Sequence, residues 1–263
     1  MSNINIFAKY LKPFRMQTFN FDYPVTFADI DSGYHITPNA VLCYFQDAIA
    51  RFLTIGDAGP QSLSPKGLLW VITEFHAEIS ETRPKWPDIV TATVWFSEIS
   101  SLKVHVDYLM KTPDGHLFAN GTSTWLIMDS STRRPFPCRE VGELMALYDP
   151  NPEYRTPKFL FDASGEQIRT VTHRVTASDI DFNGHVSNQI YVRLASAMAS
   201  SDYAGKHVIR ELHVKFEKEC FLNNVLEMTL NRKDDGSFAT VIRREDMPEP
   251  VCRIISRWDE CNQ

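Results

Sequence analysis

The 263-residue chain carries 27 Lys and Arg against 33 Asp and Glu, a formal net charge of −6, which argues against a general nucleic-acid or anionic-membrane surface. Hydrophobic residues make up 43% and aromatics 12% of it, enough for a packed core and too much for global disorder. At 263 residues the chain exceeds the usual size of one compact core, so two domains of roughly 100 to 150 residues are expected.

Residues 1–17 read as a short leader with a basic tint from Lys9, Lys12 and Arg15, and Phe19 to Phe27 as a first strand. Thr37 then offers an N-cap with Pro38 at the first helical position. Val41, Tyr44, Phe45, Ala48, Ile49, Phe52 and Leu53 follow at helical spacing, predicting a helix buried along its length. Gly56 to Gly67, rich in Gly, Pro and Ser, reads as a loop. Strand patterns come next: Phe75, Ala77 and Ile79 alternate with His76, Glu78 and Ser80, and further strands are expected over Ile89–Phe96, Leu102–Met110 and Leu117–Met128. Pro113-Asp114-Gly115 supplies the turn before the last of these. A short helix is expected over Glu140–Leu147, and Asp149–Gly165, with three prolines, reads as a crossover linker.

The order then repeats: a strand near Thr170–Thr176, a helix from Ser187 carrying Ile190, Tyr191, Leu194, Ala195 and Met198 at helical spacing, and strands near 208–219, 225–231, 237–244 and 251–258. Leu212, Val214 and Phe216, alternating with His213, Lys215 and Glu217, echo Phe75, Ala77 and Ile79 at an offset of 137. The stretch before the second helix, Asp179 to Leu194, likewise has an earlier copy in Asp29 to Phe45. Asp29, Asp31, His35 and Thr37 match Asp179, Asp181, His185 and Ser187 at a constant offset of 150. The chain is therefore an internal duplication of an α+β unit. Its fold class is a tandem double hotdog, each half an antiparallel sheet wrapped around a long central helix. The boundaries expected are 1–148 for the N-terminal hotdog, 149–166 for the linker and 167–263 for the C-terminal one.

The second copy is the chemical one. Asp181, Asn183 and His185 stand at alternate positions, so an extended backbone would point all three the same way. A helix start beside them would offer unpaired N–H groups to a developing oxyanion. In the first copy Gly33 replaces the asparagine. The bland alternative is that Asp179-x-Asp181 merely ends a strand and begins a turn, a view its repeat as Asp29 and Asp31 favours. A metal on Asp181 and His185 lacks an evident third ligand, so no metal is expected. Five cysteines, Cys43, Cys138, Cys220, Cys252 and Cys261, show no CxxC or Cys/His zinc spacing and read as reduced thiols. Without a signal-like or 18-residue apolar run, a soluble cytoplasmic protein is expected.

Asp181-x-Asn183-x-His185 before a helix, followed by the segment ending in Glu219 and Cys220, resembles the acyl-acyl-carrier-protein thioesterase family of plants and bacteria, over about residues 20–260. The resemblance implies hydrolysis of fatty acyl thioesters of acyl carrier protein in fatty acid biosynthesis, with no cofactor. It carries catalytic roles onto Asp181, Asn183, His185 and Glu219, and onto Cys220 as a nucleophile once considered in the family. The N-terminal half, with Thr82 and Arg83 aligned to Glu219 and Cys220, would hold the acyl chain. The plant members' plastid transit segment has no counterpart here, which suits a bacterial enzyme. Thioester hydrolysis fits these residue types independently: Glu219 as base, Asn183 orienting the water or the base, His185 and helix-start amides polarising the carbonyl, Asp181 orienting Asn183 or His185. Direct attack by Glu219 or Cys220, with His185 carrying the proton, is the other route.

If Glu219 lies on the strand begun at Leu212, it faces away from the core unless a bulge intervenes. Trp70, Phe75, Trp95 and Tyr108 are candidates for an acyl tunnel, and Arg155, Lys158, Arg193, Lys206 and Arg210 for a cationic rim facing the acidic carrier. An acyl-CoA thioesterase of the same fold and a non-catalytic acyl-binding protein are the competing functions, and the assembly is expected to be a homodimer or monomer.

Overall fold

The structure, a computed structural model, describes residues 18–142, 144, 147 and 161–260. In the first half, β1 (Phe19–Pro24) leads to α1 (Pro38–Ile55), then to a short α2 (Pro60–Leu63) and a 3-10 turn inside the stretch expected to be loop. The strands β2 (Leu68–Ile79), β3 (Ile89–Ile99), β4 (Val104–Lys111), β5 (Leu117–Asp129) and the two-residue β6 (Pro135–Phe136) follow. The helix expected at Glu140–Leu147 falls partly outside the described residues; a 3-10 turn covers Cys138–Glu140. Most of the expected linker also lies outside them. The second half runs β7 (Glu166–Arg174), α3 (Asn188–Ser196), α4 (Ser201–Ala204), β8 (His207–Phe216), β9 (Val225–Arg232), β10 (Phe238–Arg244) and β11 (Pro250–Glu260).

The strands join into one antiparallel sheet in the order β1-β3-β4-β5-β2-β8-β11-β10-β9-β7, with β6 on β5. The second half mirrors the first strand by strand, and β2 and β8 pair at the junction, with His76 directly opposite His213. Wrapping explains the burial of α1. Its seven periodic apolar residues are all buried, and Phe45 meets Tyr108 while Phe52 meets Phe96, at ring-centroid distances of 4.7 and 4.9 Å. Gly121 allows the approach, because a Cβ there would stand 2.7 Å from the His76 carbonyl and 3.2 Å from the Phe45 ring.

Two expectations fail here for physical reasons. His76 and His213, placed by alternation on the outward face, are 3% and 2% exposed, because the junction packs them on each other and Phe161 on His213. The second helix stops at Ser196 short of Met198, giving α3 9 residues against 18 in α1. Ser196 donates its hydroxyl back to the Val192 carbonyl, a bond that competes with helix continuation.

Candidate active site

The segment before α3 is a closed turn rather than an extended strand. Asp181 N–H donates to the His185 carbonyl at 2.8 Å and Gly184 N–H to the Asp181 carbonyl at 3.0 Å, with an Ile180–Val186 bridge behind them. Asp181 Oδ1 accepts the Asn183 N–H at 2.8 Å, so this carboxylate holds Asn183 at the tip. Gly184 takes φ 79° there, a conformation glycine adopts without steric cost. Asp179 is a structural member: its carboxylate accepts the Thr176 N–H at 2.8 Å and its hydroxyl at 2.9 Å, with His173 Nε2 2.9 Å away.

Glu219 arrives from the end of β8. The N–H groups of Glu217 and Lys218 both donate to the Val251 carbonyl, at 2.9 and 3.2 Å, two residues opposing one as in a bulge. Beyond them the Cys220 carbonyl accepts the Val186 N–H at 2.8 Å, tying this strand end to the turn before α3. Glu219 Oε1 thereby lies 3.5 Å from His185 Nδ1, a separation that a small side-chain movement turns into a hydrogen bond. Phe221 stands edge-on to the His185 ring at 5.0 Å.

Asp181, Asn183, His185 and Glu219 all line one cavity of about 750 Å³. Its wall continues into the first half through α1 (Cys43, Ile49, Leu53) and through Leu69, Trp70 and Ile72 of β2. A register shift between Ile72 and Glu74 bends β2 at this point. Of the four aromatics proposed for an acyl tunnel, Trp70 is on this wall, while Phe75, Trp95 and Tyr108 are buried core outside it. Cys220 is fully buried and is not on the wall. Burial pushes its thiol up, only partly countered by a hydrogen bond with Tyr191, so it is poor in thiolate.

The start of α3 also lines the cavity, through Ser187, Asn188 and Gln189. Ser187 sits at the N-cap position, yet its side chain makes no capping bond. Asn188 and Gln189 therefore begin the helix without a capping hydroxyl on their amides. In the first half the equivalent Thr37 does cap, accepting the Ala40 N–H at 3.2 Å.

That half repeats the turn bond for bond. Asp31 N–H donates to the His35 carbonyl at 2.9 Å, Tyr34 N–H to the Asp31 carbonyl at 3.0 Å, and Asp31 Oδ1 accepts the Gly33 N–H at 2.9 Å. The structure moves the alignment of the next segment by one residue. Ile36 N–H donates to the Pro84 carbonyl at 2.9 Å, where Val186 uses Cys220, so Arg83 rather than Thr82 occupies the place of Glu219. Arg83 is 9% exposed and pairs with Asp31 at 2.9 Å. Burial and this guanidinium pull His35 below its ordinary value. A cation thus stands where the other half has a carboxylate.

Arg133 is the site residue that sequence reasoning missed. It lies in the turn between β5 and β6, in the first half, lines the cavity and forms an ion pair with Glu219 Oε1. Nothing in Asp129-Ser130-Ser131-Thr132-Arg133-Arg134 distinguishes it from an ordinary polar turn. Gln46 on α1 also crosses to the second half, accepting from Gln189 Nε2 at 3.4 Å. Among the described residues, one trio of possible metal ligands has its atoms within 4.8 Å of one another, His76, Glu78 and Glu211. It sits at the strand junction, where Asn120 and Arg257 hold the carboxylates. Of the proposed cationic rim, Arg193 pairs with Asp179 at 3.4 Å and Arg210 with Asp259 at 3.6 Å, while Arg155 and Lys158 lie outside the described residues.

Two hotdogs fused in one sheet, with a polar turn and a carboxylate on a cavity whose far wall is apolar, define a double-hotdog protein. The acyl-ACP thioesterase N-terminal domain model matches residues 16–148 and the C-terminal domain model residues 163–260, so the chain belongs to the acyl-ACP thioesterase family. It is 25% identical over 220 residues to a palmitoyl-acyl carrier protein thioesterase, chloroplastic, of Gossypium hirsutum, covering 80% of this chain and 52% of that one. It is 29% identical over 173 residues to an acyl-[acyl-carrier-protein] hydrolase of Cuphea viscosissima, covering 61% and 40%. The chain thus spans about half the length of these relatives. Its fold matches an acyl-ACP thioesterase of Bacteroides thetaiotaomicron with a TM-score of 0.81 and 16% identity over 92% of this chain and 98% of that one. The 12:0-ACP thioesterase of Umbellularia californica gives 0.79 and 21% over 92% and 97%. No helix among the described residues is long and apolar enough to cross a membrane.

Proposed function

We propose that the chain hydrolyses fatty acyl thioesters of acyl carrier protein, releasing free fatty acid in fatty acid biosynthesis. The observation that carries this reading is the meeting of Asn183, His185, Glu219 and the uncapped start of α3 on one cavity whose far wall is apolar. The apolar part, in the N-terminal unit (1–148), takes the acyl chain, with burial contributing about 0.8 kcal/mol per methylene. The C-terminal unit (167–263) supplies the chemistry and 149–166 connects them.

Glu219 removes a proton from water as the water oxygen attacks the thioester carbon, and Asn183 orients that water. The carbonyl oxygen becomes an oxyanion facing His185 and the amides of Asn188 and Gln189. Collapse breaks the C–S bond, and the leaving thiolate takes up the proton held by Glu219. Asp181 keeps Asn183 in place through its backbone N–H. The buried Cys220 supports water activation over a thiolate nucleophile.

The test is hydrolysis of acyl carrier protein and CoA esters from C4 to C18 by the wild type, Asn183→Ala and Glu219→Gln. Carrier-protein esters should be cleaved, with losses of about 10² to 10³ in rate in each variant. Equal or better turnover of CoA esters without carrier protein would instead make this an acyl-CoA thioesterase. Tight acyl binding without turnover would make it a binding protein.

A further inference from the structure

We infer that Arg133, from the N-terminal half, is a positioning residue for Glu219 in the C-terminal half, so that the catalytic centre is built across the duplication. Among the described residues, Arg133 pairs with Glu219 through Oε1 and His185 Nδ1 lies 3.5 Å from that same oxygen. Oε2 is left as the basic oxygen, and the rotamer is pinned so that it meets water at the cavity wall. This inference rests on the water-activation reading above.

The turn that presents Arg133 is built for that purpose. Arg133 has φ 57°, a left-handed conformation that costs a non-glycine residue free energy. The surrounding bonds enforce it: Arg133 N–H donates to the Asp129 carbonyl at 2.9 Å, and Asp129 N–H to the Arg134 carbonyl at 2.9 Å. Asp129 Oδ1 gathers the Ser131 and Thr132 N–H groups at 3.0 and 2.7 Å, and Ser130 N–H docks on the Gly67 carbonyl at 2.8 Å. The side chains of Arg133 and Glu219 are 41% and 33% exposed, and ion pairs so solvated add little to folding. Strain held in place by a tight turn for a pair that scarcely stabilises the fold points to the reaction.

The experiment compares Arg133→Met and Arg133→Lys in the wild type and in the Glu219→Gln background. Arg133→Met should lower kcat about 10- to 100-fold with KM nearly unchanged, as expected for a displaced catalytic group, and Arg133→Lys should recover much of it. In Glu219→Gln, Arg133→Met should have little further effect, because its role passes through the carboxylate. An equal loss in both backgrounds, no loss, or a faster Arg133→Met enzyme overturns the inference. A readout independent of turnover is the imidazole 15N signal of His185, which should move in Arg133→Met and return in Arg133→Lys; unmoved signals also overturn it. If the wild type cleaves no ester the thioesterase reading falls, while the His185 signals still decide whether Arg133 organises the site.

Discussion

At the scale of single residues, two neighbours with the same sequence credentials part company. Glu219 lines the cavity, and Cys220, one residue on, faces the core with its thiol pushed up by burial. Cys220→Ser should therefore leave kcat within a few-fold of wild type and, with Tyr191 still there as a hydrogen-bond partner for the hydroxyl, should cost no more than about 1 kcal/mol of stability. Loss of turnover in a fully folded Cys220→Ser protein, checked by circular dichroism beside the rate, would instead point to an acyl-enzyme route. That Asp181, Asn183 and His185 share one turn was legible because the spacing is local, while the arrival of Glu219 on the same cavity was expected only from the resemblance. The orientation of Glu219 was legible only as a condition, since alternation alone turns it away and the shared Val251 carbonyl is a long-range contact.

At the scale of elements, the turn before each helix is a scaffold kept in both copies, while the groups mounted on it differ. Asp179 is 2% exposed; burial alone would raise its carboxyl, but bonds from Thr176 N–H, His173 and the Thr176 hydroxyl outweigh that and hold it below the ordinary value. A depressed folded value means that its stabilisation is complete above about pH 4 and is lost as acid protonates it. Asp179→Asn should destabilise the protein at pH 7, and the gap to wild type in chemical denaturation should narrow towards pH 2 to 3. A constant gap would assign the effect to packing. Strand and helix identities followed from periodicity, and the duplication offsets located the turns. The extended backbone expected at Asp181–His185 was wrong because Gly184 and the Asp181 carboxylate close it, chemistry that side-chain alternation does not report. Unpaired amides at the start of α3 were expected from the helix itself; what the sequence hid is that Ser187, a residue type that caps well, makes no capping bond.

For the whole molecule, the junction of β2 and β8 decides how the halves behave. His213, at the junction, is pushed down to about 3 by burial first, then by His76 and Lys215. The unfolded chain takes up that proton near pH 6.5 and the folded one does not, so this stabilisation is full above pH 6.5 and drains away towards pH 3. Wild type should lose melting temperature between pH 7 and 4 more steeply than His213→Leu, which has no proton to gain; parallel curves would sink the idea. The two-unit plan was legible from the repeat, but the burial of the two histidines and the reach of Arg133 depend on how the units join, which neither unit encodes alone. The pairing of His76 with His213 carries a history as well. Each is the other's duplicate at an offset of 137, and an antiparallel contact in which a residue meets its own copy is what a two-fold axis between identical chains produces. The molecule has the form of an ancestral homodimer fused by gene duplication. Fusion released each copy from the obligation to mirror the other: Arg83 pairs with Asp31 in one half, while Glu219 in the other pairs with Arg133 from across the axis.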